Sequence, residues 1–184
     1  MDIIEDTITK ASQGDLDAFE AIYKAMSGFV YNIALRMVNN REDAEEVTQE
    51  VFLMVHRKLK DFRMESSLKT WVYRITVNHA INHAKRAAKH KQHLEYNDEL
   101  IPQAIGAGEA SMTLDDAHHK KVIDELLSHI NDEQKACIVL RNLEGLSYAQ
   151  IAEVLKININ TVRTRLKRAR EKMLPLRRAT YDAL

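Results

Sequence analysis

From Phe29 to Ile101 the chain runs 73 residues without a glycine or a proline. Sandwiches and barrels need those residues at nearly every turn, whereas long helices do without them. Only five Gly and two Pro occur in the 184 residues, so the sequence predicts an all-α fold. That length suits one medium domain or two small ones. The lone cysteine, Cys137, excludes a disulfide framework, and the acidic start Met1-Asp2-Ile3-Ile4-Glu5-Asp6 lacks the basic and apolar regions of a secretory signal. No stretch approaches the roughly 18 apolar residues of a membrane helix. A soluble, cytoplasmic protein is expected.

The formal net charge of zero conceals a sorted sequence. Residues 1–62 carry minus 5, residues 63–93 plus 6, residues 94–117 minus 6, residues 118–155 minus 2 and residues 156–178 plus 8. Two basic blocks separated by an acidic stretch suit two contacts with a polyanion, because Lys and Arg gain by displacing counterions from phosphates. Two solvated helix faces would give the same numbers. The acidic stretch, from about Glu95 to Asp116, lacks helical periodicity and holds Pro102, Gly106 and Gly108. It reads as a flexible tether between two small helical domains.

In the first domain, Asp15 to Met26 and Phe29 to Val38 read as two short amphipathic helices with Phe19, Ile22, Ile33, Ala34 and Met37 inward. The helix Glu42 to Leu59 places Ala44, Val47, Val51, Val55 and Leu59 on one stripe. Phe52, Leu53 and Met54 widen its apolar surface, and Glu46, Gln49, Glu50 and His56 form a polar stripe beside Leu53. This is what a docking face for another protein's helix looks like, and a wide core face explains it equally well. In the helix from Leu68 to about Lys89, the stripe Leu68, Val72, Ile75, His79 is expected inward. A second stripe carries Trp71, Arg74, Asn78, Asn82, Lys85 and Lys89. A ring that stacks on a base, amides that read a base edge and cations that hold phosphates suit melted nucleic acid better than duplex. The loop Phe62-Arg63-Met64-Glu65-Ser66-Ser67 could wall an extruded base. Trp71 as a plain core anchor is the competing reading.

In the second domain, Asn131 with Gln134 and Ser147 with Gln150 have capping-box spacing and start helices near Asp132 and Tyr148. Tyr148 to Leu155 carries Ile151, Ala152 and Leu155 inward; Lys156-Ile157-Asn158 makes a tight turn; Asn158 caps a helix running to about Met173. That last helix buries Val162, Leu166, Ala169 and Met173. It flanks them with Arg163, Lys167 and Arg170 on one side and Arg165, Arg168 and Lys172 on the other. The pattern is a helix-turn-helix whose second helix suits a major groove.

These residues carry a resemblance to the extracytoplasmic-function (ECF) class of bacterial RNA polymerase sigma factors. Asp43-Ala44-Glu45-Glu46-Val47-Thr48-Gln49-Glu50-Val51-Phe52 resembles that family's region-two helix that docks on the polymerase clamp. The stretch Phe62 to Lys85 is similar to its promoter-melting, minus 10 reading segment. Leu143 to Ala152, followed by Thr161 to Arg170, is similar to its region four, which reads the minus 35 element.

The resemblance implies a region-two domain over residues 1–93, an acidic linker over 94–117 and a region-four domain over 118–184. It implies that Asp43, Glu46, Gln49, Glu50, Leu53 and His56 meet core RNA polymerase. Arg63, Ser66, Ser67, Lys69, Trp71, Arg74, Asn78, Asn82, Lys85 and Arg86 would hold minus 10 DNA. Asn160, Thr161, Arg163, Thr164, Arg165, Lys167, Arg168 and Arg170 would read minus 35 DNA. The function implied is promoter recognition and melting for a stress or envelope-response regulon. Control would come from a separate anti-sigma factor, because no extension follows Leu184. The chain departs from the family where Lys156 takes a position often held by Gly and where Ile159-Asn160 replaces an acidic or small pair.

Two rival classes are weaker. An autonomous two-domain helix-turn-helix regulator leaves the Trp71 stripe and the clamp-like helix unexplained. A metal enzyme or sensor would lean on His79 and His83, His90 and His93, or His118 and His119, yet no third ligand stands at fixed spacing from any pair. Cys137 reads as a buried apolar residue, and no phosphate-cradling loop or catalytic constellation occurs. The expectation is a non-enzyme without metal or cofactor.

Overall fold

The computed structural model describes residues 5–95 and 122–182, and every regular element among them is helical. The first lobe comprises α1 (Glu5–Ser12), α2 (Leu16–Val38), α3 (Arg41–Lys58), a single 3-10 turn (Leu59–Asp61) and α4 (Leu68–Glu95). The second comprises α5 (residues 122–128), α6 (Asp132–Asn142), α7 (Tyr148–Leu155) and α8 (Ile159–Asp182). From residue 96 onward the expected acidic linker lies outside the described residues, as do His118 and His119.

The two short helices expected over Asp15–Met26 and Phe29–Val38 are one continuous helix, α2. Asp15 caps it, its carboxylate accepting from the Ala18 amide at 2.9 Å. An interior glycine such as Gly28 costs about 1 kcal/mol against alanine. Burial of Ile22, Met26, Val30, Ile33, Ala34 and Met37 against α3 and α4 outweighs that cost, since each large side chain contributes about 1.5–3 kcal/mol. The sequence reading contained no helix before Asp15, whereas α1 lays Ile8 and Ala11 on this core.

The stripe Ala44, Val47, Val51, Val55 and Leu59 is buried as its spacing requires, and Asn40 caps α3 through its side-chain oxygen. The inward stripe of α4 needs correction. Leu68 and Val72 are buried, but Tyr73, Thr76, Val77 and Ala80 continue the face, while Ile75 and His79 are only half-buried. The helix has α2 on one side, α3 on another and the second lobe on a third, so it buries a wider arc than one stripe.

In the second lobe both capping boxes form, Asn131 with Gln134 and Ser147 with Gln150. Gly145, at φ 66, turns the chain between α6 and α7 in a conformation that favours glycine. The helix-turn-helix corner closes at Lys156, which adopts φ 52 and ψ 45. The Ile157 amide donates to the Ala152 carbonyl at 3.1 Å, a helix C-cap that ordinarily selects glycine. Asn158 then accepts from the Asn160 amide at 2.8 Å and starts α8. Val162, Leu166 and Ala169 are buried and Met173 half-buried. The helix continues past the expected end at Met173 to Asp182 and carries Pro175 inside it.

The lobes pack on one another, α2 and α4 against α6 and α4 against α7. Polar contacts join them. The Tyr73 hydroxyl donates to Glu144, the Arg74 guanidinium donates to the carbonyls of Val154 and Glu153 at 3.1 Å each, and the Lys135 ammonium donates to the Met37 carbonyl. Arg36 pairs with Asp124 at 3.0 Å, both side chains about four-fifths buried. Burial pushes the Tyr73 phenol far above its ordinary value, with Glu144 adding to the shift, so the hydroxyl stays a donor. Burial likewise holds the Lys135 ammonium below its usual range.

Candidate functional site

Three surfaces combine exposure with the chemistry picked out in the sequence. The first is an apolar groove of about 900 Å³ between α2 and α3, lined by Leu16, Phe19, Tyr23, Tyr31, Gln49, Phe52, Leu53 and His56 among others. Leu16 is 71% exposed, Tyr23 45% and Leu53 50%, an unusual cluster of large apolar side chains facing water. Tyr23 packs edge-on against Phe52 and Phe19 against His56, which holds the groove walls in shape. Leu53, Gln49 and His56 therefore stand where the sequence put them, beside an apolar face to which α2 contributes as much as α3. Leu16 and Tyr23 escaped the sequence reading because they stand at helical spacing beside Phe19 and Ile22, where periodicity does not distinguish an exposed apolar side chain from a core one.

Asp43, Glu46 and Glu50 occupy a neighbouring line on α3 that turns toward α4. Glu50 pairs with His79, and Glu46 lies 3.6 Å from the ring of His83.

The second surface surrounds the loop from Phe62 to Ser67. A cavity of about 430 Å³ opens there, lined by Ile8, Met26, Phe29, Phe62, Met64, Ser66, Ser67 and Lys69 among others. Ser67 caps the start of α4, accepting from the Thr70 amide at 3.1 Å. Met64 reverses the chain at φ 55. The Lys69 ammonium lies 5.7 Å above the Phe29 ring and 5.6 Å above that of Tyr73, so its charge sits at the cavity mouth. Trp71 combines both readings. It is half-buried on the core with its ring 5.0 Å from Phe62, and it is not wholly enclosed. Along the same helix Asn78, Asn82, Lys85 and Arg86 are exposed. Arg74 departs from the expected free stripe, since its guanidinium is spent on carbonyls at the end of α7.

The third surface is α8. Arg163, Thr164, Lys167, Arg168 and Arg170 are exposed, as is Asn160 at the helix start, while Thr161 is half-buried. Arg163 donates to the Asn160 side chain at 3.0 Å, and the Thr164 hydroxyl to the Asn160 carbonyl at 2.9 Å, so both are held against the helix start. Lys167 lies 3.8 Å from Glu171. Arg165 is the exception. It is half-buried beside the thiol of Cys137, turned from the outer flank toward α6. Cys137 itself is fully buried, and burial pushes its thiol up to about 11 against the opposing pull of Arg165.

A helical protein with an exposed apolar groove, a cavity under a cationic and aromatic face and a basic helix-turn-helix belongs among DNA-binding transcription proteins. The comparisons narrow that class. Residues 22–90 match the family model Sigma-70 region 2, and residues 120–173 match Sigma-70, region 4. The chain is 30% identical over 174 residues to the ECF RNA polymerase sigma-E factor of Haemophilus influenzae, covering 89% of each chain. It is 26% identical over 178 residues to the ECF RNA polymerase sigma factor SigW of Bacillus subtilis, covering 92% of this chain and 94% of that one. Among solved structures it is similar to CnrH in complex with the cytosolic domain of CnrY, with a TM-score of 0.69, 20% identity and coverage of 97% and 99%. The sigma factor RpoE of Bartonella quintana in complex with the anti-sigma factor NepR gives a TM-score of 0.66, 21% identity and coverage of 87% and 96%. The chain belongs to the ECF RNA polymerase sigma factors and is a promoter-recognition subunit. Among the described residues, no helix is long and apolar enough to cross a membrane.

Proposed function

We propose a residue-level division of labour for this sigma subunit. The α2–α3 groove, with Leu53, Gln49 and His56, docks on core RNA polymerase, together with Asp43, Glu46 and Glu50 on the side of α3 that turns toward α4. The cavity beside the Phe62–Ser67 loop receives an unpaired base of the melted minus 10 strand, with Arg63, Ser66, Ser67, Lys69, Trp71 and Asn78 around it. Asn82, Lys85 and Arg86 follow the strand backbone, and Arg74 joins them once the lobes separate. The exposed residues of α8 read minus 35 duplex, Arg163, Thr164 and Lys167 reaching bases and Arg168 and Arg170 reaching phosphates. Arg165 supports α8 from behind. Residues 1–93, 94–117 and 118–184 act as region-two domain, linker and region-four domain.

The single observation that carries this reading is the exposed groove, because an autonomous regulator has no use for Leu16, Tyr23 and Leu53 in water. The protein acts by binding, without catalysis and in the cytoplasm, where its polymerase and promoters are. A separate anti-sigma factor restrains it, as NepR is found with RpoE of Bartonella quintana. The test is Leu53→Glu. Half-exposed Leu53 can be replaced without emptying the core, so thermal unfolding should stay near wild type while association with core polymerase is lost. A variant that still assembles with core would remove the groove from the docking role.

A further inference from the structure

The seam between α3 and α4 holds a group of ligating side chains whose convergence on His83 is not explained by the polymerase contact proposed for two of them. Asp43 and Glu46, three residues apart on α3, and His83 on α4 each bring a donor atom to one place, all within 4.8 Å of one another. His83 Nε2 stands 3.6 Å from Glu46 Oε2 and 3.9 Å from Asp43 Oδ1, both beyond hydrogen-bonding distance. Its other nitrogen, Nδ1, is enclosed without a partner. One turn along, His79 pairs with Glu50. A largely buried imidazole facing two carboxylates it does not hydrogen-bond is chemistry that an ion satisfies.

We propose that Asp43, Glu46 and His83 form a binding site for one divalent transition-metal ion of the zinc class. Metal–donor bonds of about 2.0–2.2 Å place tetrahedral donors roughly 3.3–3.6 Å apart, so the observed spacings close with small side-chain rotations. His83 is the fixed member, with only 16% of its side chain exposed, and Glu46, at 61%, is free to swing in. One imidazole with two carboxylates and no thiolate selects zinc, cobalt or manganese over copper(I). The remaining coordination position faces solvent and takes water. Resting on the docking role given above to Asp43 and Glu46, the ion competes with core polymerase for those two carboxylates.

Titration of the full chain with Co²⁺, as a coloured stand-in for zinc, tests the site. One equivalent should bind with visible absorption of a low-symmetry site and be displaced by Zn²⁺. His83→Gln and, separately, the surface pair Asp43→Asn with Glu46→Gln should each weaken binding roughly tenfold or more while circular dichroism stays helical. The absence of saturable binding, or binding as tight in both variants as in the wild type, would overturn the site, because the chain's seven other histidines would then account for any uptake. Zn²⁺ should also weaken core association of the wild type and not of His83→Gln. A saturable cobalt site with unchanged core association would keep the metal site and overturn the docking role of Asp43 and Glu46 instead.

Discussion

Replacing Tyr73 by Phe should loosen the two lobes. Tyr73 is 2% exposed, and its hydroxyl, on the first lobe, donates to the carboxylate of Glu144 on the second. A hydrogen bond to a charged group contributes about 1.5–3 kcal/mol, and phenylalanine keeps the ring and its packing against Phe29. At about 1.4 kcal/mol per decade, the ratio of packed to separated lobes should fall roughly ten- to hundredfold. Arg74 is freed with it, because its partners at Glu153 and Val154 belong to the departing lobe. A binding-competent state that is rarer in the free chain lowers apparent affinity by its fractional population. The affinity of the isolated chain for a single-stranded minus 10 oligonucleotide should therefore rise by up to that factor. Fluorescence transfer between dyes on exposed sites of the two lobes, together with the oligonucleotide titration, reads both quantities. Unchanged transfer and unchanged affinity in Tyr73→Phe would refute the contribution assigned to this bond.

Lys156→Gly should stabilise the helix-turn-helix by up to about 1 kcal/mol, because a left-handed non-glycine residue costs about 1–2 kcal/mol and the added freedom of the unfolded glycine returns part of that; thermal unfolding measures it. Arg163→Ala or Lys167→Ala should weaken use of the upstream element, each lost base contact costing about 1–3 kcal/mol. Trp71→Ala or Asn78→Ala should reduce strand opening, with premelted templates partly rescuing Trp71→Ala; normal permanganate reactivity in the Trp71 variant would remove its stacking role. Cys137 should resist alkylation in the folded protein. Its raised folded value means the native state holds the thiol proton more tightly, so this contribution is intact below about 9 and lost as pH rises toward about 11. The difference in unfolding free energy between wild type and Cys137→Ala, measured across that range, checks the sign.

The parts legible in the sequence were those set by local rules. Capping boxes at Asn131 and Ser147, the tight turn at Lys156 and the apolar stripe of α3 each depend on residues within one or two turns, and each forms as its spacing requires. Tertiary packing accounts for what was not legible. Gly28, itself exposed, leaves α2 unbroken because Met26 and Val30 on either side of it are buried against neighbouring helices, and Tyr73 is buried because a second lobe covers α4. The same cause hid the candidate metal site. His79 and His83 have helical spacing on their own strand of sequence, but their carboxylate partners sit some 30 to 40 residues earlier on α3. Arg74 and Arg165 have the periodicity of DNA contacts, and only the fold directs one to α7 and the other to Cys137.

On the division of labour proposed above, this chain gives core polymerase a promoter through two separate surfaces. The most direct measurement is initiation by core polymerase reconstituted with the purified chain, on a template library randomised at both promoter elements. Transcripts should start at one fixed distance from an enriched pair of elements, with thymines of the downstream element reactive to permanganate. Variants in α8 should lose only the upstream enrichment. Initiation that does not depend on the chain, or enrichment of a single element unaffected by Trp71→Ala and Asn78→Ala, would show that the chain does not read a promoter through these two surfaces.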